Sequence, residues 1–517
     1  MRNLSLLPVK VGWHHRNFSK PLDNGHRFAS TSSESNSNSR DSGISASPIS
    51  TASSYNPHSP GPSPTPSQKS SERPNNLPPD WDDNPDYNIQ AFADLPSSNF
   101  GVNQHIVIND EFKEALRQIL WQFRAPIRYA FAYGSGVFPQ TNLSSSSRKS
   151  SAIHPYPSPA ISTVQGGNGK MIDFIFGVSY TQHWHSLNLQ QHRDHYSAVG
   201  SLGSSFVSRV QDKWGAGVYF NPYITVNGTL IKYGVVNLDT LCRDLSEWDT
   251  LYLAGRLQKP VKILRDDPRV RLANQVNLIS ALRTALLLLP SKFTEQELYT
   301  TVTGISYLGD PRMSLGAENL NKVANIVQHQ LPNFRRLYAP LIENLPNVEF
   351  QDPRCSSPEW VDDQDSNVIL AQDMDPIKRG NMVRRLPKNF REKLYFRYQS
   401  KYQIPQLEFN KLMEQSNDED PARVKRKQGG PFERRLAGED QGSLNKEVSA
   451  AITQIIKYPS YSQSLKSGLT AGVRRSWRYL MEKWEKYREG NRKGKEKSGA
   501  ADRSNPEKSR NQKENEI

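Results

Sequence analysis

An α+β fold is predicted by three features of this chain. Two strongly apolar stretches, "RYAFAYG" (128–134) and "MIDFIFGVSY" (171–180), have the composition of strands. "AGVYFNPYITVNGTLIKYGVVNLDTL" (216–241) reads as a hairpin that turns at Asn227-Gly228. From about 243 to 345 the pattern turns helical, in "LCRDLSEWDTLYLAGRLQ", "RLANQVNLISALRTALLLL", "TEQELYTTVTGISYLG" and "NLNKVANIVQHQLPNFRRLYAPLIENL". Strands first and helices after is an α+β order.

The rest of the 517 residues is read around that core. Only 35% of the chain is hydrophobic and 35 residues are proline, so part of it is expected to be disordered. Residues 1–33 carry Arg2, Lys10, Arg16, Lys20 and Arg27 against one acid, Asp23. Basic, Ser-rich and acid-poor is the composition of a mitochondrial transit peptide. Residues 34–80 read as a disordered linker of Ser, Pro and Asn. A first domain is expected over 81–245, interrupted by a low-complexity insertion at 141–170. Within it "NDEFKEALRQILWQF" (109–123) predicts a helix capped by Asn109 or Asp110, with Phe112, Leu116, Ile119, Leu120 and Phe123 on one face. A helical domain over 246–345, a polar linker over 346–445, an amphipathic helix within 446–490 and a polar tail over 491–517 complete the expected order.

Bulk properties exclude some classes. Cys242 and Cys355 are the only cysteines, so neither a disulfide framework nor a Cys-based zinc site is present. No apolar run approaches the roughly 18–20 residues that span a bilayer; "ALLLLP" (285–290) is too short. The net charge of +14 points to a polyanionic partner, either nucleic acid, anionic lipid or nucleotide phosphates.

The chemistry centres on "RYAFAYGSGVFPQ" (128–140). Gly134 and Gly136 remove side chains, so backbone N–H groups can approach a phosphate, and Ser135 adds a small hydroxyl. Three other motifs fail here. The hydrolase elbow G-x-S-x-G lacks its first Gly, the Rossmann fingerprint is broken by Phe138 and Pro139, and the P-loop pattern at "GGNGKM" has Val164 and Met171 at required positions. On the next strand Asp173 sits among apolar residues, where a carboxylate is costly unless it is paired or binds metal. A strand, a Gly-Ser turn and an acid on the adjacent strand form the geometry of a nucleotidyltransferase, with triphosphate on the turn and a divalent metal on the acid.

The stretches "YAFAYGSGVFPQ", "IDFIFGV", "HWHSLNLQQHRDHYS", "GAGVYFNPYI", "IKYGVVNLDTL", "WDTLYLAGRLQKPVKIL" and "ISYLGDPRM" closely resemble the mitochondrial CDP-diacylglycerol synthases, also called translocator assembly and maintenance proteins. The resemblance covers about 90–345 and the stretch "LTAGVRRSWRYL". It implies a nucleotidyltransferase fold followed by a winged-helix-like domain, held peripherally on the matrix face of the mitochondrial inner membrane. It implies the reaction of CTP with phosphatidic acid to give CDP-diacylglycerol and diphosphate, dependent on Mg2+ or another divalent metal, for phosphatidylglycerol and cardiolipin synthesis. Gly134-Ser135 and Asp173 match the general nucleotidyltransferase pattern, with Ser135 and Asp173 in the catalytic roles. Ile175 stands where a second acid belongs, and Asp239 is the candidate for a further metal carboxylate, or else belongs to a helix N-terminus.

Four cations are expected near phosphates: Lys232, Arg256, Lys259 and Lys262, the last three within "AGRLQKPVKIL". A zinc reading of His183, His185, His192 and His195 is disfavoured by loose spacing and the lack of thiols. In "SLKSGLTAGVRRSWRYLMEKWEKYREG" (464–490) apolar residues recur at steps of three and four beside a cationic face. That pattern suits an interfacial helix on anionic lipid, with Arg474, Arg475, Trp477, Arg478 and Trp484 as the contacts. Two other functions remain in view: an RNA-directed nucleotidyltransferase, against which no aromatic-basic platform is visible, and a non-catalytic assembly factor for inner-membrane protein import. No nucleic acid partner is expected.

Overall fold

Period-two alternation builds the central sheet. The structure, a computed structural model, describes residues 81, 89–140, 153–166, 169–310, 321–416, 428–472 and 481. All of these lie in the unit Ser71–Ile517. The expected transit peptide and first linker lie outside them.

Helix α1 (Asp110–Trp121) begins where Asn109 accepts from the Phe112 amide at 2.9 Å. Then come β1 (Tyr129–Tyr133), α2 (Pro159–Gln165), β2 (Ile172–Val178), α3 (Thr181–Gln191) and α4 (Gly203–Lys213). The hairpin follows as β3 (Val218–Val226) and β4 (Thr229–Asn237). Its turn places Asn227 and Gly228 at φ +46° and +69°, the left-handed pair a two-residue hairpin requires. After α5 (Leu238–Glu247) and the short α6 (Ala254–Leu257), β5 (Lys262–Arg265) pairs with β1. The sheet order is β3-β4-β2-β1-β5, with β2 and β4 parallel and the other pairs antiparallel. The sheet therefore runs past the expected boundary at 245.

The two faces of this sheet bury different cores. Ala130, Ala132, Phe174, Phe176, Tyr233 and Leu264 pack with Phe112, Leu116 and Ile119 of α1. Tyr129, Phe131, Ile175, Val236 and Ile263 face the other way. They join a larger core with α5 and α7 (Pro268–Leu288), a helix buried almost all round. Its buried polar side chains are hydrogen-bonded, as Asn277 is to the Ala254 carbonyl at 3.0 Å.

Beyond α7 lie β6 (Lys292–Thr294), α8 (Glu295–Ile305), α9 (Lys322–Ile342), β7 (Val348–Phe350) and β8 (Ile369–Gln372). The three strands form a second, antiparallel sheet in the order β6-β8-β7. The stretch expected to be a polar linker is folded over 346–416 and 428–445. It carries β7 and β8, then α10 (Pro376–Arg384), α11 (Lys388–Tyr402), α12 (Gln406–Ser416) and α13 (Pro431–Ala437). Phe390, Leu394, Tyr395 and Tyr398 bury one side of α11. Charge misled the reading because Arg384 and Arg391 are themselves buried, donating to the Ser416 carbonyl at 2.7 and 2.8 Å.

The last described helix, α14 (Gln441–Ala471), is followed by Gly472 at φ +81°. Gln463 donates to the Val218 carbonyl at 3.0 Å, and Lys466 donates to the carbonyls of Trp214 and Gln211 at 2.6 and 3.2 Å. One side of α14 is thus fastened to β3 and the end of α4, while Tyr458, Tyr461, Leu465 and Leu469 are exposed on it. Leu465 and Leu469 lie in the stretch expected to form a membrane-surface amphipathic helix (446–490), on a helix whose other side is docked on the protein. Among the described residues no helix is long and apolar enough to cross a membrane.

Candidate active site

β1 ends at Tyr133, and the two glycines that follow serve different needs. Gly134 has φ +81°, a left-handed conformation that penalises any side chain. Gly136 lacks space: a Cβ there would lie 2.7 Å from the Met171 carbonyl oxygen. The amides of Val137 and Phe138 both donate to the Gly134 carbonyl, at 3.1 and 2.9 Å, which closes the turn around the half-buried Ser135.

Part of the expected insertion braces this turn. Gln165 donates to the Gly136 carbonyl at 2.7 Å and accepts from the Lys170 amide at 2.6 Å. His154 Nδ1 accepts from the Leu230 amide at 2.9 Å, so its ring proton sits on Nε2 and is donated to Gln165 at 3.0 Å. Residues 141–152 and 167–168 of that stretch lie outside the described residues.

Register sets the acid. Asp173 lies directly opposite Tyr133 on β1 and Lys232 on β4. Its Oδ1 is 3.3 Å from Lys232 Nζ, and both side chains are about three-quarters covered or more, 25% and 17% exposed. A Cβ on Gly134 would stand 3.4 Å from Asp173 Oδ2, so the carboxylate adjoins the bare turn. The Lys232 ammonium also lies 4.6 Å from the centre of the Phe220 ring. Ile175, two residues along β2, is fully buried in the core, so the position of a second acid is filled by packing.

Arg256 reaches Tyr133, at the end of β1, through a loop that the sequence reading took for helix. The Asp244 carboxylate, 3% exposed, accepts from the amides of Thr250, Leu251, Leu253 and Ala254 and from the Thr250 hydroxyl, all between 2.8 and 3.0 Å. This clamp holds Trp248 and Leu251 at φ +59° and +56°, strained values for residues with side chains. It then delivers α6 with Arg256 stacked 4.0 Å over the Tyr252 ring, its Nε 3.4 Å from the Tyr133 hydroxyl. Burial holds the Tyr133 phenol above its ordinary pKa, so it stays a neutral partner. Lys259 donates to Ser306 Oγ at 2.9 Å and to the Gly255 carbonyl.

Two expected residues are placed elsewhere. Lys262 pairs with Ala132 and so lies on the α1 face of the sheet, opposite to Asp173. Its ammonium donates to the Ile106 carbonyl at 2.7 Å, and burial pushes its pKa down. Asp239 follows the far end of β4. Asn237 caps α5 by accepting from the Asp239 amide, and the 78% exposed Asp239 carboxylate pairs with Arg269 at 3.0 Å. Since Lys232 is level with Asp173 and Asn237 is five residues further on, about 17 Å of strand separates Asp239 from Asp173.

Arg474, Arg475, Trp477, Arg478 and Trp484 lie outside the described residues. Of the histidines, His185 is buried between Tyr196 and Gln211, and burial lowers its pKa to about 4. His192, Asp194 and His195 bring ligand atoms within 4.8 Å of one another, while His195 Nδ1 is 2.9 Å from the Tyr233 hydroxyl.

The donor set beside the turn fits a magnesium-type ion in one way. Such an ion is commonly held by one or two carboxylates, with substrate phosphates and water supplying the remaining oxygens. Asp173 would offer one carboxylate beside the Gly134–Gly136 turn. Asp239 does not provide the second.

A family model described as mitochondrial phosphatidate cytidylyltransferase matches residues 116–486. The chain is 44% identical over 248 residues to the protein of that name from Schizosaccharomyces pombe, covering 48% of this chain and 58% of that one. It is 43% identical over 261 residues to the Saccharomyces cerevisiae protein, 50% of this chain and 62% of that one. With the Xenopus laevis protein it shares 35% identity over 381 residues, 73% of this chain and 96% of that one. The matches to the two yeast proteins thus span about three-fifths of their length. Matched residues 116–486 include the Gly134–Gly136 turn, Asp173, Lys232 and the Asp244 clamp, and on that match the chain belongs to the mitochondrial phosphatidate cytidylyltransferase family.

Proposed function

We propose that this chain transfers the cytidylyl group of CTP to phosphatidic acid, giving CDP-diacylglycerol and diphosphate, for phosphatidylglycerol and cardiolipin synthesis in mitochondria. The observation that carries the reading is the meeting of the Gly134–Gly136 turn with Asp173 and Lys232 in a member of this family. In this reading the first domain has the nucleotidyltransferase fold, and the helix–strand–helix–helix–strand–strand order from α7 to β8 supports a winged-helix-like second domain.

The bare turn receives the triphosphate through backbone N–H groups, with Ser135 beside it. Lys232 and Arg256 neutralise phosphate charge. An oxygen of the phosphatidic acid phosphate attacks the α-phosphorus in line, the new P–O bond forms as the α–β anhydride bond breaks, and diphosphate leaves. A phosphate monoester is already anionic near neutral pH, so positioning and charge neutralisation outweigh general-base help. Asp173 would hold the divalent cation, which supplies further neutralisation of the phosphates.

The substrate is a lipid, so the reading includes peripheral attachment to the matrix face of the inner membrane after import by a transit peptide. The exposed Tyr458, Tyr461, Leu465 and Leu469 of α14 and the basic sequence from Arg474 to Arg488 support attachment to anionic lipid. The test is incubation with phosphatidic acid liposomes, magnesium and labelled CTP, beside Asp173→Ala. Label in an organic-soluble product, lost in the variant, is the expected result. No lipid label from folded, liposome-bound protein would refute the activity, and equal activity in the variant would refute the role of Asp173.

A further inference from the structure

The stretch "HWHSLNLQQHRDHYS" (183–197) takes no part in the transfer chemistry above. Its four histidines are not one set. His183 is exposed, and His185 is engaged on both ring nitrogens, by the Tyr196 hydroxyl and the Gln211 side chain, each at 2.8 Å. His192 and His195 are different. They stand at the two ends of one 3-10 turn (Arg193–His195) after α3, with their rings parallel to within 1° and their centres 4.3 Å apart. Asp194 lies between them in sequence. One ligand atom from each of the three lies within 4.8 Å of the other two, and among the described residues no other group of three His, Cys, Asp or Glu side chains does this. Around a tetrahedral zinc ion the ligand atoms are about 3.3 Å apart, so a modest inward turn of the exposed Asp194 and the half-buried His192 closes the set on one ion.

A ligating imidazole gives one nitrogen to the metal and donates its other N–H to an oxygen that fixes the ring. His195 is 4% exposed, and its Nδ1 is 2.9 Å from the Tyr233 hydroxyl. Asn188 donates to that hydroxyl at 3.0 Å and to the Tyr196 hydroxyl at 2.9 Å, and Tyr196 leads on to His185 and to Gln211 on α4. A buried polar chain therefore ends on His195 and sets its ring. With the ring proton on Nδ1, donated to Tyr233, the ligand atom is Nε2. His192 Nε2 is 3.4 Å from the Gln122 carbonyl, which makes Nδ1 its ligand atom. We propose that His192, Asp194 and His195 form a binding site for a zinc-type divalent ion, with water as the fourth ligand. Two imidazoles and one carboxylate suit Zn2+, whereas Mg2+ takes oxygen ligands. The site is separate from the phosphates. Tyr233 follows Lys232 on β4, so it projects from the opposite face of the sheet and packs in the core on the α1 side. Zinc binding here is thus independent of the cytidylyl-transfer reading.

The full chain, without an affinity tag, is stripped with a chelator and titrated with Zn2+ by calorimetry in the absence of nucleotide and lipid. One ion per chain is expected, with a Kd below about 10 µM. His192→Ala and Asp194→Asn change side chains outside the core and are each expected to weaken binding at least about tenfold. Zn2+ is expected to raise the melting midpoint of the parent and to leave that of the double variant unchanged. Asp173→Ala is expected to bind Zn2+ as the parent does. Loss of zinc binding in Asp173→Ala would move the ion to the transfer site and overturn the proposal. Unchanged binding in both His192→Ala and Asp194→Asn would put the ion on other residues, and a parent that binds no Zn2+ in this range would overturn the proposal outright. None of these readouts needs turnover, so a protein that transfers no label from CTP but binds Zn2+ through His192 and Asp194 would sink the transfer reading and leave the metal site standing.

Discussion

Lys232 and Lys262 stand in similar stretches, "LIKYGVV" and "PVKIL", and both were expected at phosphates. The sheet separates them. Lys232 shares the face of Asp173, 3.3 Å from its carboxylate. Lys262 projects from the opposite face and is engaged by the Ile106 carbonyl. In a strand, one position of register decides which side of the sheet a residue serves. A cation near a motif in sequence therefore says little until its strand is aligned against the strand that carries the motif.

That contrast can be tested from both sides. The largest effect is expected at Asp173, on the site face: Asp173→Ala should lower kcat by about 10²–10³-fold with an unchanged circular dichroism spectrum. Lys232→Met should follow, with a loss of about ten- to a hundredfold, because it removes a partly covered cation beside the same turn. On the other face, Lys262→Met should leave kcat within about threefold while urea unfolding reports a loss of about 1–3 kcal/mol, since the Ile106 carbonyl loses its donor. A hundredfold loss of activity there would erase the distinction between the faces.

Titration sharpens the same point. The folded pKa of Lys262 is depressed, so between that value and the ordinary lysine value of 10.5 the unfolded chain binds more protons. Stability contributed by this group therefore rises with pH through that window and is lost as pH falls through the folded pKa. Lys262→Met should remove that part of the alkaline slope in thermal melts. The smallest effect is expected at Asp239, whose pair with Arg269 is largely exposed. Asp239→Asn should change kcat by less than about twofold and stability by less than about 1 kcal/mol.

The site was partly legible because its signals are local. Two glycines around a serine, and one acid in an apolar strand, stand out in any reading of this sequence. The Asn227-Gly228 turn and the Asn109 cap are equally local. What escaped depends on distant partners. β5 is four residues long, with a lysine and an arginine at its ends, and only pairing with β1 makes it a strand. Gln165 looked like part of a Ser- and Pro-rich insertion until its amide met the Gly136 carbonyl. Arg384 and Arg391 made the second half of the chain look solvated, although the carbonyls that bury them lie on another helix. Asp244 carried no motif, since its five donors are mostly backbone groups, which every sequence possesses.

Asp244 has one more consequence. Its two oxygens divide the work, Oδ1 taking the Thr250 and Leu251 donors and Oδ2 the amides of Leu253 and Ala254. Asparagine has nearly the same shape but offers one oxygen and one NH2 group, so either orientation would aim donors at donors. The closest isostere of this residue is thus among its poorest replacements. The hydrogen-bond donors to Asp244 are four peptide amides and one hydroxyl, so peptide dipoles take up much of the negative charge. The loop that carries Arg256 and Lys259 thus keeps its shape by means of a buried anion.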